Sequence, residues 1–279
     1  TKTGEITQII PHKDGYTPKD GNGTPLEPVN PANPEQGYKP PKITDPKANI
    51  KITYEKDDQK AKVKFVSVDP KTQTETELTE HALTLTGKSG ETIPESDVQT
   101  HIDVLKSMGY DIVDNPFDQD PTFDTRKETD QEFTIKVKPQ VSTAKPVYVV
   151  EGDKPSSEKL KDAVTTKGNE KTVDETKLPE TTGKVGDDTL TAPVTVTYGS
   201  GVNKREEIVP VPVTVLPKVK PEGVVVPKNS DKTELEKAIK EEAEKAAKNL
   251  KGLPEGVTVT VTNVETNTVP GTENVGKQT

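Results

Sequence analysis

Alternating apolar and polar residues predict several strands in the middle of the chain. Val63 and Phe65 occupy every second position of KAKVKFVSV, and Phe133, Ile135 and Val137 do so in EFTIKVK. A period of two is typical of a strand with one buried face. The run LTLTGK between them indicates a further strand, and an acidic loop precedes the last one.

Between these strands the apolar period changes to that of a helix. Val98, Ile102 and Leu105 are spaced i, i+4 and i+7, which places them on one helical face. Ser96 is the expected N-cap, and Gly109 is the expected residue just beyond the last turn.

A second pattern repeats along the C-terminal half at an offset of 75 residues. EKLKDAV (158–164) corresponds to TELEKAI (233–239), and KLPE (177–180) corresponds to GLPE (252–255). One supersecondary unit is therefore used twice. Each copy is predicted to begin with a Val-rich strand, at 149–150 in the first copy and at 224–225 in the second. A charged helix follows, and then an LPE turn that leads into further strands.

The two copies diverge after the LPE turn. The first continues into the predicted strands APVTVTY (192–198) and EEIVPVPVTV (206–215). The second has 15 additional residues before VGKQT (275–279), where the chain stops. We therefore expect the second copy to be incomplete.

The second copy carries the clearest helical signal, from Ser230 or Asp231 to Leu250. Glutamates dominate its first half and lysines its end, which complements the helix dipole. Two ion pairs at i, i+4 are expected, Glu241–Lys245 and Glu244–Lys248. The apolar stripe is narrow, so we interpret this helix as a cover for a sheet, with partner binding as the alternative.

The composition argues against one large core. Only 28% of the 279 residues are hydrophobic and 4% are aromatic, and the chain lacks Trp and Cys. Globular chains usually carry about 45–50% apolar residues when Gly is included. Several small modules joined by linkers fit better, and they depend on cores and sheet pairing rather than disulfides.

The charge of the chain narrows the classes of partner. A formal net charge of −9 does not provide the basic surface that nucleic-acid binding or a polybasic membrane patch needs. No apolar run approaches the roughly 20 residues that span a bilayer. The chain starts at Thr1 without a signal peptide, so we expect a piece of a longer protein.

Several ordered motifs in the central segment resemble a known family. LTGKSGE (85–91), KSMGYDIVDNPF (106–117), TFD (122–124) and DQEFTIKVK (130–138) resemble the mucin-binding repeat, called MucBP or Mub-type, of lactobacilli and related Gram-positive bacteria. The resemblance implies a ubiquitin-like β-grasp fold and a place in a cell-surface adhesin.

The N-terminal segment, residues 1–50, is rich in proline. Proline favours an extended backbone and lacks the backbone N–H group that donates hydrogen bonds between strands. A semi-rigid exposed linker is one interpretation. Tyr16 and Tyr38 stand in similar contexts, GYTPKD and GYKPPK, and in Mub-type repeats a Pro-rich arm precedes the β-grasp module. The alternative is therefore an arm that packs partly onto the next module.

The repeated copies resemble a second family. Tyr148 to Val150, LKDAV, KLPE and the pair VTVTYGSG and EEIVPVPVTV are similar to Rib/alpha-like repeats of Gram-positive surface proteins. That resemblance implies compact β-rich, immunoglobulin-like domains that stack end to end into a stalk.

Together these patterns predict a β-rich α+β multidomain chain. Its expected parts are a Pro-rich linker or arm (1–50), a ubiquitin-like β-grasp, MucBP-like module (51–139), and two tandem Rib-like β-sandwich modules (140–217 and 218–279), of which the second is truncated.

A search for catalytic motifs finds no constellation that carries chemistry. KLPETTG (177–183) resembles the LPxTG sorting signal, but Thr182 stands where the signal has Gly, and the LPE turn recurs in the second copy. His12, His81 and His101 are scattered and lack metal-ligand spacing. We therefore expect neither an enzyme nor a resident cofactor, with bound Ca²⁺ left open.

One segment, residues 111–132, resembles a ligand site in its composition. It carries eight carboxylates against Arg126 and Lys127. Asp118, Asp120 and Asp124 are candidate Ca²⁺ ligands, although a solvated acidic surface is the alternative. The nearby aromatics Tyr110, Phe117 and Phe123 are candidates for glycan binding, and the alternative is that they belong to the core.

These observations favour an extracellular adhesin fragment of the cell wall surface of a Gram-positive bacterium, anchored through an LPXTG signal elsewhere. The β-grasp module would bind host mucin glycoproteins or their glycans, and the Rib-like modules would project it. Immunoglobulin or another host surface protein remains open as a partner, and we expect a monomer. The competing hypothesis is a purely structural spacer.

Overall fold

The computed structural model describes residues 8–261 apart from positions 44, 46, 48 and 221. Over this part the chain is β-rich, with few helices and several sheets. It divides into two compact units, 1–140 with 199–205, and 141–198 with 206–279.

The first unit contains seven strands and one α-helix among its described residues. They are β1 (Tyr16–Lys19), β2 (Thr53–Lys56), β3 (Asp58–Val68), β4 (Glu75–Glu77), β5 (Leu83–Lys88), α1 (Ser96–Ser107), β6 (Tyr110–Asp114) and β7 (Gln131–Pro139). β3 and β7 are parallel neighbours at the centre of the main sheet. β4 and β5 pair with β3 and β6 pairs with β7, all antiparallel.

The core of the first unit lies on one face of this sheet. The predicted helical stripe of Val98, Ile102 and Leu105 is buried there, against sheet residues that include Phe65 and Ile135. Since Val63, Phe65, Ile135 and Val137 are all at most 1% exposed, the period-two pattern correctly located the buried face. The expected cap is wrong by one residue, because Glu95 is the N-cap and Ser96 is the first helical residue.

Gly109 follows the helix at φ +76, as its predicted place beyond the last turn requires. A residue with a side chain rarely adopts this left-handed conformation. The glycine therefore lets the chain leave α1 and enter β6 directly.

The Pro-rich N-terminal segment is folded where the structure describes it, so the linker interpretation is wrong there. β1 pairs with β2 antiparallel, immediately before the main sheet. Ile10 and Tyr38 exchange two backbone hydrogen bonds of 2.9 Å, and the Tyr54 hydroxyl donates to the Pro11 carbonyl at 2.7 Å. The Asp57 amide donates to the Gly15 carbonyl. These contacts show the alternative, an arm packed on the following module.

The second unit is built mainly from a four-stranded sheet of order β11-β12-β13-β9. Its described elements are β8 (Thr143–Ala144), β9 (Val147–Val150), α2 (Ser157–Ala163), β10 (Val164–Thr165), β11 (Glu170–Thr172), β12 (Thr191–Ser200), β13 (Asn203–Leu216) and α3 (Lys232–Lys248). β12 and β13 contain the two strands predicted after the first LPE turn. Their alternating valines form half of a buried core that also contains Leu160 of α2.

A buried polar network fixes the start of the second unit. Ser142 donates its amide to Glu207 at 2.8 Å, and its hydroxyl lies 2.7 Å from both Thr166 and Glu207 oxygens. The Tyr198 hydroxyl, on a side chain only 2% exposed, donates to Glu207 at 2.9 Å. The half-buried Thr166 and Glu207 thereby satisfy the buried hydroxyl groups of Ser142 and Tyr198.

We expect Tyr198→Phe to destabilise the second unit by about 1–2 kcal/mol, because it removes a hydrogen bond to a carboxylate and leaves Ser142 and Thr166 with one partner fewer. Chemical denaturation monitored by far-UV circular dichroism measures this. Tyr148→Phe is the matched control, since that side chain is 46% exposed. Equal losses in the two variants would contradict a role for the network.

Helix α3 agrees with its prediction in extent but not in its ion pairs. Its N-cap is Asp231 and its C-cap is Asn249. The ion pairs that form are instead Lys232–Glu236, Lys237–Glu241 and Glu242–Lys245. All of them involve exposed or half-exposed side chains, so each adds little to stability.

The N-terminus of α3 is held by a capping box. Asp231 accepts from the Glu234 amide at 2.8 Å, and Glu234 accepts from the Asp231 amide at 3.3 Å. We expect Asp231→Ala to cost about 1 kcal/mol and to lower helicity, because the Glu234 amide at the helix end loses its acceptor. Far-UV circular dichroism checks this, with exposed Thr233→Ala as control. Unchanged helicity would contradict the prediction.

The two copies of the repeat differ more than their sequences suggest. The first copy's helix, α2, has 7 residues, whereas α3 has 17. The strand predicted at 224–225 is absent from the described residues, and Val225 is 98% exposed. Beyond the second LPE turn, residues 262–279 lie outside the described residues, and with them most of the inserted segment.

Candidate functional site

The three aromatic residues proposed for glycan contact lie in the core of the first unit. Phe117 and Phe123 are each 1% exposed, and Tyr110 is 9% exposed. The Phe117 ring packs on Phe133 with centroids 5.1 Å apart. Burial raises the pKa of the Tyr110 phenol. The core alternative therefore holds, and a sugar cannot stack on Phe117 or Phe123 in this fold.

The three carboxylates proposed as Ca²⁺ ligands are not brought together. Asp118 accepts from the Asn115 side-chain amide at 2.8 Å, and Asp124 accepts from the Arg126 amide at 3.2 Å. Asp120 ends a short 3-10 helix in a left-handed conformation, with φ 48. Among residues that the structure describes, no three His, Cys, Asp or Glu side chains are grouped to hold a metal ion. The carboxylates shape their own loop instead, so the calcium hypothesis lacks support.

The side of the main sheet opposite α1 forms a polar surface that we call the open face. Outward side chains of β3, β5 and β7 stand in rows set by the strand register, with Lys62 between Thr84 and Glu132 and Lys64 beside Thr134. The open face consists of Lys60, Lys62, Lys64, Thr84, Thr86, Glu132, Thr134 and Lys136, all exposed or half-buried.

Ion pairs largely balance the charge of the open face. Lys62 lies 3.0 Å from Asp130 and Lys64 lies 3.7 Å from Glu132. The hydrogen bond and charge of Asp130 raise the pKa of Lys62. Alternating ammonium, carboxylate and hydroxyl groups offer donors and acceptors side by side. This chemistry suits hydrogen bonding to sugar hydroxyls better than long-range attraction of anions.

The structure brings together two histidines that the sequence left scattered. His81 ends a short 3-10 helix (Thr79–His81) and His101 lies on α1, yet their Nδ1 atoms are 3.3 Å apart. Both rings pack against Phe65 in the core. Their separation of 20 residues carries no spacing signal, because packing of the helix on the sheet makes the contact. The third histidine, His12, instead contacts Asp14.

The LPxTG-like segment is part of the fold of the second unit. Thr181, the threonine after which sorting would cleave, is 2% exposed. Its hydroxyl donates to the Asp153 carbonyl at 2.7 Å and accepts from the Gly152 amide at 3.0 Å. The segment is thus a turn built into its module, as its recurrence in the second copy predicts.

A comparison with known protein families finds a match in the segment that forms the main sheet. Residues 59–139 match the family model of the mucin binding domain, MucBP_2. The segment is thus similar to mucin-binding domains. It contains the sheet from β3 to β7, helix α1 and the open face, and we call it the mucin-binding module. The matched family is one of adhesin-type domains.

One solved structure similar to the chain is the type 2 repeat of the mucus binding protein MUB from Lactobacillus reuteri. The identity is 16%, the match covers 57% of this chain and 97% of that chain, and the TM-score is 0.26. A similarity at this level supports no argument about the chain. No curated protein matches it significantly.

The remaining findings bear on the rest of the chain. The family match ends at residue 139, so the Rib-like resemblance of the later segments remains a prediction. In the part of the chain that the structure describes, no helix is both long and apolar enough to span a membrane.

Proposed function

We propose that this chain is part of a bacterial surface adhesin that binds host mucin glycoproteins through the mucin-binding module. The observation that carries the proposal is the family match of residues 59–139, which coincides with a sheet that has its own core. The strand order β5-β3-β7-β6, with β3 and β7 parallel and α1 over one face, supports the ubiquitin-like β-grasp fold that the family resemblance implies.

The open face is the contact surface that we assign to mucin glycans. Its rows of lysine, threonine and carboxylate side chains are accessible, whereas the candidate aromatic rings are buried. A surface of this kind forms hydrogen bonds in competition with water, so one copy binds weakly. Useful adhesion then depends on many copies that act together.

The second unit would project the module from the cell wall of a Gram-positive bacterium. The repeat offset of 75 residues and the Val-rich core of the four-stranded sheet support tandem Rib-like modules. We propose that the chain is extracellular and monomeric. The family that the module matches favours mucin glycoproteins, rather than immunoglobulin, as its partner.

A structural spacer is the second candidate function. It is favoured by the ion pairs of the open face, which engage three of its four lysines, and by the burial of all three aromatic candidates. In a spacer, no module would bind a glycan.

The experiment that tests the proposal is surface plasmon resonance on immobilised mucin before and after enzymatic removal of its O-glycans. We expect weak, saturable binding of the chain that falls at least about 10-fold after glycan removal, since the glycans supply the hydroxyl partners. Equal binding to both surfaces, or none to either, would favour the spacer.

A pair of charge reversals locates the contact on the module. Lys60→Glu changes the open face, and Lys106→Glu makes the same change on α1, at another exposed position. The first variant should weaken binding to native mucin several-fold, and the second should not. Equal effects would place the contact elsewhere.

A further inference from the structure

We propose that His81 and His101 bind a divalent first-row transition metal ion through their Nδ1 atoms. The two rings stand nearly perpendicular, at 87°, with centroids 5.5 Å apart and Nδ1 atoms 3.3 Å apart. The site lies in the first unit and is independent of the open face, so the inference goes beyond mucin binding.

The spacing of the two nitrogens fits a shared metal. Metal–nitrogen bonds of about 2.0–2.1 Å at a tetrahedral angle place two ligand nitrogens about 3.3–3.4 Å apart. The observed 3.3 Å agrees with this value. Without metal, one Nδ1–H can still donate to the other Nδ1, so the pair is held together in advance.

The groups around His81 favour its metal-binding form. The Glu80 carboxylate lies 3.9 Å from Nε2 of His81, on the ring edge away from His101. Carboxylates commonly accept the second ring N–H of a metal-bound histidine, but at 3.9 Å Glu80 acts on His81 through its charge rather than through a hydrogen bond.

A cavity provides room for the remaining ligands. It has a volume of about 310 Å³ and is bordered by both histidines, Glu80, Thr100 and Met108. Among residues that the structure describes, no third His, Cys, Asp or Glu completes a metal cluster, so water would fill the open positions. A site with two protein ligands binds only moderately, and Cu²⁺ should bind more tightly than Zn²⁺.

Metal binding moves one proton from Nδ1 to Nε2 of one imidazole ring and breaks no covalent bond between heavy atoms. The ring that donates from Nδ1 in the metal-free pair must carry its proton on Nε2 once Nδ1 is a ligand. For His81 that proton then faces Glu80. Each neutral imidazole contributes one lone pair to the ion.

Isothermal titration calorimetry of the full chain with ZnCl₂ and with CuSO₄ tests the proposal. We expect one ion per chain, at least about 10-fold weaker binding in His101→Gln, and unchanged binding in His12→Gln, the matched control in the arm. Glu80→Gln should weaken binding less than His101→Gln. Circular dichroism confirms that each variant is folded.

Ring-nitrogen NMR of labelled histidine gives a second readout. Zn²⁺ should shift the Nδ1 resonances of His81 and His101 while the His12 resonances stay in place. Equal affinities of the parent chain and His101→Gln would overturn the proposal, as would an absence of binding at about 1 mM metal ion, where even a weak site is half filled.

Discussion

Replacing Gly87 by valine is expected to unfold the mucin-binding module and to leave the second unit folded. A Cβ atom at Gly87 would lie 2.2 Å from Cε2 and 2.8 Å from Cδ2 of Phe123. The Phe123 ring is 1% exposed, so neighbouring core residues prevent it from moving aside. Overpacking of a filled core typically costs about 1–3 kcal/mol and occasionally more, and a Cβ atom this close to the ring lies at the upper end, which is a large share of a small module's stability.

Differential scanning calorimetry measures this effect, with Gly21→Val as the matched control. A Cβ atom at Gly21 meets only the Lys51 carbonyl oxygen, at 4.0 Å. The Gly87 variant should lose the transition of the first unit and keep that of the second. A first-unit transition within 2 °C of the parent would contradict the packing described for Gly87, since about 1 kcal/mol shifts the melting temperature of a small domain by about 4–8 °C.

Local periodicity was sufficient to locate the elements of the mucin-binding module. Val63 and Phe65 alternate with lysines because one face of β3 is buried and the other meets water. Val98, Ile102 and Leu105 follow the helical period because α1 covers that same core. These patterns are local consequences of burial, so the sequence displays them directly.

The roles of individual side chains depend on tertiary contacts that no local pattern reports. Phe123 looks exposed in its acidic loop, yet it packs over Gly87, a residue 36 positions earlier. His81 and His101 meet only because α1 docks on the sheet. The prolines of the arm permit strand pairing where Tyr16 to Lys19 lie along β2, so proline content alone misled the linker interpretation.

The repeat shows a different limit of sequence reasoning. Matching residues such as Leu160 and Leu235 are buried on helices in both copies. The valines at 149 and 224 match equally well, but only Val149 lies in a strand, because β13 is present beside it as a pairing partner. A strand needs a neighbour for its backbone groups, which similarity of sequence does not supply.

Presentation of the chain in four copies is expected to raise its apparent affinity for mucin at least about 100-fold over the monomer. In the proposed function each module binds weakly, but mucin displays many glycans, so the later contacts would form at high effective concentration. The gain resides mostly in slower dissociation. A spacer would show no such gain, since four copies of a surface that does not bind still do not bind.

The most direct measurement is the dissociation of a streptavidin-linked tetramer of the chain from immobilised mucin, compared with a tetramer of the Gly87→Val variant. That variant keeps the second unit and lacks the folded module, so the comparison assigns binding to one of them. Slow, glycan-dependent dissociation of the parent tetramer and loss of binding in the variant are the predicted results. Failure of the parent tetramer to bind, or equal binding by both tetramers, would contradict an adhesin that acts through its mucin-binding module.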